Sequence, residues 1–319
     1  MERQYFNREA TKLQLNCQDL TLSEFLMKST NFLDTKNIRI NLNECNLCGA
    51  CVENCPRYLY RIHSDRLHIV VDFDKECIMC MHCASVCPTG AIEPKHYSAE
   101  TATEIRSNLP DFSAFSHLVK VRKSTRTFLE KRIPEQTLNK LLDLAHNSPT
   151  GHNERNLELT IVQNPEILKK VSRKLFLKAK ALVEDYERKE LKLNRNTDDF
   201  KHIEMQVKGF KKYFIQIEDG RDPWKWGAQL VIFHGPKSSV SLIPNCSLAA
   251  GHLMLGAELL SLSTCPLGYL TALLNQHGEV AQLVKIPQDH QVGFSLALGY
   301  SEVSYHKIYS KKPFKVQWL

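Results

Sequence analysis

Cys45-Asn46-Leu47-Cys48-Gly49-Ala50-Cys51-Val52-Glu53-Asn54-Cys55-Pro56 and Cys77-Ile78-Met79-Cys80-Met81-His82-Cys83-Ala84-Ser85-Val86-Cys87-Pro88 are two copies of one pattern, C-x2-C-x2-C-x3-C-P. This is the bacterial spacing for 4Fe–4S ligation. Three thiolates on a short curling loop can reach three corners of one cube. The fourth, at the start of the helix that follows, points elsewhere and ligates the other cluster of a two-cluster module. Cys45, Cys48, Cys51 and Cys87 are therefore assigned to one cluster, and Cys77, Cys80, Cys83 and Cys55 to the second. Pro56 and Pro88 lack an N–H and turn the chain after the last ligand. Gly49 is expected to let the backbone pass close to a cluster. Structural zinc usually pairs two C-x2-C arms across a longer gap, which fits two four-cysteine runs poorly. The runs also form an internal repeat, the mark of a pseudo-two-fold module.

Eight of the eleven cysteines sit in these runs, in a chain of 319 residues. That pattern reads as metal binding rather than as a disulfide scaffold. Cys17 and Cys246 are expected to be buried small hydrophobes. The net charge is +7, and the basic residues are thickest from Lys169 to Lys212, where acidic residues interleave with them. Mixed signs point to a solvated helical face, so no nucleic-acid partner is expected. The first residues are polar and charged, and no stretch is long and apolar enough to span a bilayer. The expectation is a cytoplasmic protein with no membrane partner.

Outward from the cysteines, residues 1–38 read as an N-terminal extension and 39–94 as the cluster module. Residues 95–116 read as a linker and 117–319 as one larger domain. Ile38 and Ile40, and the stretch from His68 to Phe73, read as short strands. Pro134 suits a helix N1 position. Leu138, Leu141, Leu142 and Ala145 then recur at helical spacing to about Asn147. Leu157, Leu159 and Ile161 alternate with polar residues as a half-buried strand. Leu230–Phe233 and Phe294–Leu298 read as further strands. Asn245 reads as the cap of a core helix running to Leu262. The order of helices and strands implies a mixed α+β domain. No G-x-G-x-x-G fingerprint is present, so a Rossmann site for NAD is not expected.

The second domain resembles the nitroreductase family of FMN enzymes. Arg122-Lys123-Ser124-Thr125-Arg126-Thr127-Phe128 is similar to that family's R-R-S-x-R-x-F opening. Ser148-Pro149-Thr150-Gly151-His152-Asn153 is similar to its A-P-S/T-G-x-N loop, and Leu262-Ser263-Thr264-Cys265-Pro266-Leu267-Gly268 to its G-L-G-x-C-W-x-G segment. Leu298-Gly299-Tyr300 and the basic tail from Lys307 to Lys312 resemble its closing region. With the cluster module in front, the whole resembles the ferredoxin–nitroreductase fusions: a ferredoxin-like two-cluster module followed by a nitroreductase-like α+β FMN domain.

The resemblance implies where FMN would lie. Arg122, Lys123, Ser124 and Arg126 would gather its phosphate and polar ring edge. Pro149, Thr150, Gly151 and Asn153 would come from the partner subunit of a homodimer. Pro266, Leu267 and Gly268 would pack near the ring. Lys307 and Lys311 stand where the family carries phosphate-binding Arg residues. Ser261 and Ser263 depart from the family by replacing its usual glycines. No acid–base residue is marked, because the flavin carries the hard chemistry. The implied activity is an oxidoreductase with reduced ferredoxin or NAD(P)H as donor and a small electron-poor acceptor: a nitro compound, quinone, enone or flavin. The competing expectation is a non-catalytic electron-transfer or redox-sensing subunit of a larger complex.

Overall fold

Cys48 and Cys80 are each flanked by left-handed residues: Leu47 and Gly49 around the first (φ 55° and 78°), Met79 and Met81 around the second (φ 49° and 61°). These matched reversals coil each cysteine run in the same way, and the rest of the first unit is built around them. The computed structural model describes residues 31–97, 102, 109–188, 198–218 and 229–319. Most of the extension, with Cys17, lies outside the described residues. The chain divides into two compact units, Met1–Ser107 and Asn108–Leu319.

In the first unit, β1 (Phe32–Asp34), β2 (Ile38–Asn41) and β5 (Ile92–Pro94) form an antiparallel sheet in the order β1-β2-β5. β3 (Tyr60–His63) and β4 (Arg66–Ile69) form a hairpin. Short helices α1 (Ala50–Asn54) and α3 (His82–Ser85) each follow a left-handed residue, and α2 (Phe73–Glu76) precedes the second cysteine run. Ile38, Ile40, Leu59, Tyr60, Leu67, Phe73 and Ile92 are buried together, with six of the cysteines packed against them. One expectation needs correcting. The strand expected over His68–Phe73 is β4, which ends at Ile69, while Phe73 opens α2. The hairpin partner β3 was not foreseen, because its turn residues Ser64 and Asp65 take φ 51° and 53° without a glycine. Gly49 takes φ 78°, a left-handed backbone that itself calls for glycine.

The second unit is α+β, as its element order implied. Its antiparallel sheet runs β6-β7-β9-β8, from β6 (Glu158–Val162), β7 (Gln229–Pro236), β8 (Ser263–Pro266) and β9 (His290–Gly299). On one face lie α5 (Glu135–His146) and α8 (Leu242–Leu259). Leu138, Leu141, Ala145, Ala249 and Leu253 pack there against Val231 and Phe233 of β7. On the other face, Val171 and Leu175 of α6 (Pro165–Glu187) and Leu270 and Leu274 of α9 (Gly268–Gln276) meet Leu230 and Ile232. The alternation along β7 thus serves both faces, and every residue from Gln229 to Gly235 is buried. α7 (Asp198–Glu218) packs on α6, and α10 (Gly278–Leu283) on α9.

α4 (Phe112–Val121) starts inside the stretch read as a linker; the Asp111 carboxylate caps it by accepting from the Ala114 N–H. α8 begins at Leu242, so Asn245 lies within its first turn and does not cap it. The helix ends in a Schellman motif: Leu262 N–H donates to Ala257 O, and Ser261 N–H to Glu258 O. Ser261 takes φ 54°, the left-handed conformation that glycine favours. Among the described residues, no helix is long and apolar enough to cross a membrane.

Candidate cluster and flavin sites

In the first unit the cysteines meet in two groups. One pocket is lined by Cys45, Cys48, Cys51 and Cys87 with Leu67 and Ile92. The other is lined by Cys55, Cys77, Cys80 and Cys83 with Ile38, Tyr60 and Phe73. Each run therefore contributes three thiols to one cavity and its fourth to the other. The identical donor sets suit two copies of one guest. Left-handed residues at alternate positions are the backbone pattern of anion-binding nests, which suits an anionic sulfide cluster.

Four of these thiols are shifted by their surroundings, three of them upward. Burial and the neighbouring Cys45 push Cys51 up to about 11. Burial also raises Cys77 and Cys83. Cys87 is the exception: burial opposes ionisation, but the Thr89 hydroxyl and the N–H groups of Thr89, Ala91 and Ile92 hold it below the ordinary thiol value. Bound metal is what deprotonates such ligands. Tyr60, stacked edge-on to Phe73 with centroids 5.5 Å apart, has its hydroxyl buried beside Cys83. Burial and that thiol push the phenol far above its usual range.

In the second unit, the segment after α4 runs beside β8. Ser124 bridges Thr264 in parallel, and the Thr125 N–H donates to Thr264 O at 3.0 Å. Thr125 is buried, whereas Ser124 is half-buried and Arg126 exposed. Arg122, Ser124 and Arg126 thus follow the two-residue period of one strand face. Arg126 Nη1 donates to Ser124 O at 3.2 Å. Arg122 Nη1 is buried and has no hydrogen-bond partner. Nearby, burial raises the Glu258 carboxyl, and Arg122 and the Lys123 N–H partly offset this. Burial also raises Cys265, against the pull of Arg126 and Arg122. Pro266 and Gly268 are exposed where β8 passes into α9, while Leu267 packs into the core beside Phe128 and Cys265.

The loop after α5 stands elsewhere. Gly151–Asn153 is a 3-10 turn, with His152 and Asn153 left-handed. Gly151 N–H donates to the buried Asn245 Oδ1 at 2.9 Å, and a Cβ at Gly151 would lie 2.7 Å from Ser241 Oγ. Thr150 Oγ1 accepts from Arg155 N–H, so it braces the turn. Pro149 is exposed. Asn245 is the anchor that sequence reasoning misread as a cap. Its pairing spans 94 residues, which no local pattern reveals. The loop sits at the start of α8, and Arg122 faces Glu258 near its end. Thirteen residues of helix separate Asn245 from Glu258, roughly 20 Å. One copy of the chain does not bring these two parts together. Lys307 and Lys311 lie on the exposed tail after β9.

A ferredoxin-type cysteine module followed by an α+β domain is what this geometry defines. The 4Fe-4S dicluster domain matches residues 44–92, and the nitroreductase family matches residues 119–300, more than half of the chain. The chain belongs to the nitroreductase family and carries an N-terminal 4Fe–4S ferredoxin domain. A ferredoxin of Methanothermococcus thermolithotrophicus is 36% identical over 61 residues, covering 18% of this chain and 98% of that protein. An uncharacterized ferredoxin of Methanocaldococcus jannaschii is 41% identical over 46 residues, 14% of this chain and 71% of that one. Among solved structures, a nitroreductase with bound FMN from Bacteroides fragilis is 21% identical, covering 64% of this chain and 97% of that chain, with a TM-score of 0.48.

Proposed function

We propose that the chain is an FMN-dependent oxidoreductase that takes electrons through two 4Fe–4S clusters and reduces a small electron-poor acceptor. The observation that carries the flavin reading is Arg122, whose buried Nη1 lacks a partner beside Ser124 and Arg126. A buried guanidinium N–H left unmet is costly, and an anionic phosphate or a polar ring edge would meet it. When bound, FMN would supply two-electron storage and hydride delivery from N5.

The protein's own part is to hold and orient. Arg122 and Arg126 supply positive charge, Ser124 a hydroxyl, and Pro266 and Gly268 an exposed edge. The roughly 20 Å of α8 between Asn245, which holds the Gly151 loop, and Glu258, which Arg122 faces, supports a homodimer in which the loop of one copy completes the site of the other. The two four-cysteine cavities support the cluster assignment of Cys45, Cys48, Cys51 and Cys87, and of Cys77, Cys80, Cys83 and Cys55. Lys307 and Lys311, on the exposed tail, would add charge for the phosphate. Reduced ferredoxin or NAD(P)H is the donor, and nitro compounds, quinones, enones or flavins are the acceptors to try. Protein purified anaerobically should release FMN on denaturation and turn over an acceptor panel with either donor. If the bound FMN reduces but no acceptor reoxidises it faster than buffer alone, the chain is an electron-transfer subunit instead.

A further inference from the structure

The geometry points to a divalent-metal site of the zinc class, held by Glu158, His234 and His290, at the end of the sheet away from Arg122. The three residues come from adjacent strands. Glu158 of β6 pairs directly with His234 of β7, and His234 pairs with Val292 of β9, two residues from His290. Cross-strand partners point to the same face, so all three side chains gather at one end of the sheet. The register of β7 against β9 shifts between Phe233 and His234, and such irregularities re-aim side chains. Their ligand atoms all lie within 4.8 Å of one another.

The two imidazoles face each other through their Nδ1 atoms at 2.9 Å. Two nitrogens bound to one tetrahedral zinc at about 2.05 Å are about 3.3 Å apart, so the rings need to part by about 0.4 Å and turn toward the ion to admit it. Without metal, one neutral ring donates its Nδ1–H to the other's Nδ1; with the ion bound, that ring carries its proton at Nε2 instead, by exchange with solvent, and both Nδ1 atoms offer lone pairs. His234 is buried, and its Nε2 lies 2.9 Å from Thr160 Oγ1. That contact orients the ring and leaves Nδ1 to serve as the ligand, the usual support for a metal-binding histidine. Glu158 is exposed, and its carboxylate can rotate to close the remaining distance. Two imidazoles and a carboxylate are a recurrent zinc donor set, with a fourth position left for water.

His290 and Leu298, which pairs with Thr264, are eight residues apart on β9, roughly 26 Å of strand. The ion therefore acts as a clamp on β6, β7 and β9 and takes no part at the Arg122 end.

The test uses holoprotein with clusters and flavin in place, stripped on a chelating resin and titrated with zinc alone. Zinc and iron per chain are measured by mass spectrometry after gel filtration, and the melting temperature is followed alongside. Wild type is expected to retain one zinc per chain and to melt higher with it, with its iron unchanged. His290→Ala and Glu158→Gln are expected to lose both effects. Thr160→Val should bind roughly 10- to 100-fold more weakly. Glu158 is exposed, so E158Q keeps the test open should H290A fold poorly. No zinc uptake by wild type, or undiminished uptake by both ligand variants, overturns the proposal.

Discussion

Replacing Arg122 by Met removes the guanidinium and keeps most of the side-chain length. If Nη1 meets the flavin, the variant loses a charge-assisted hydrogen bond, worth about 1.5–3 kcal/mol net. At about 1.4 kcal/mol per tenfold, FMN should bind roughly 10- to 150-fold more weakly. The substitution has a second consequence. Arg122 partly offsets the burial that raises Glu258, so its loss raises that carboxyl further. Arg122→Met combined with Glu258→Gln removes this side effect and isolates the flavin contact. The assay is a fluorescence titration of FMN into flavin-depleted protein, with cluster absorbance recorded on the same samples. The expected result is weaker FMN binding in both variants and unchanged iron content. FMN binding within about twofold of wild type in the double variant would refute the role given to Arg122.

Gly49→Ala should destabilise the cluster domain by at least about 1–2 kcal/mol, the cost of a side chain on a left-handed backbone. Faster bleaching of cluster absorbance on warming reads this out. Ser261→Gly should stabilise the second domain by roughly 1 kcal/mol, because it puts the preferred residue at the left-handed end of α8; a thermal melt checks it. Gly293→Ala drives a methyl to 2.6 Å from the buried Cys246 Sγ and should cost about 1–3 kcal/mol in the same melt. Glu258 is raised above its unfolded value, so its ionisation opposes folding. Its contribution is favourable at low pH and is lost as pH rises through its folded pKa. Glu258→Gln should therefore gain on wild type as pH rises above about 4.5 and match it below, as pH-dependent melts would show.

The grouping of the eight thiols into two sets was legible because it follows from local covalent reach: three on one loop and a fourth facing away. The strands at Ile38, Leu230 and Phe294 were legible from apolar runs, and α5 from its periodicity. What stayed hidden depends on backbone conformation or on distant contact. Ser64 and Asp65 make a left-handed turn without the glycine that announces one. Asp111 does announce α4, but the polar residues around it read more readily as a linker. Asn245 carries the composition of a cap and the function of a buried anchor for Gly151. His234 and His290 lie 56 residues apart, so only sheet register shows that they face each other. The family motifs located Arg122 and Gly151, but not that they lie toward opposite ends of α8 in one chain.

The central claim is that the clusters are the route by which low-potential electrons reach the flavin. Stopped-flow reduction by a ferredoxin-type one-electron donor should be followed at the flavin band, in wild type and in a Cys48→Ser, Cys80→Ser variant that keeps its FMN but lacks intact clusters. The account predicts rapid flavin reduction in wild type and its loss in the variant. Flavin reduction at the same rate in both would contradict it.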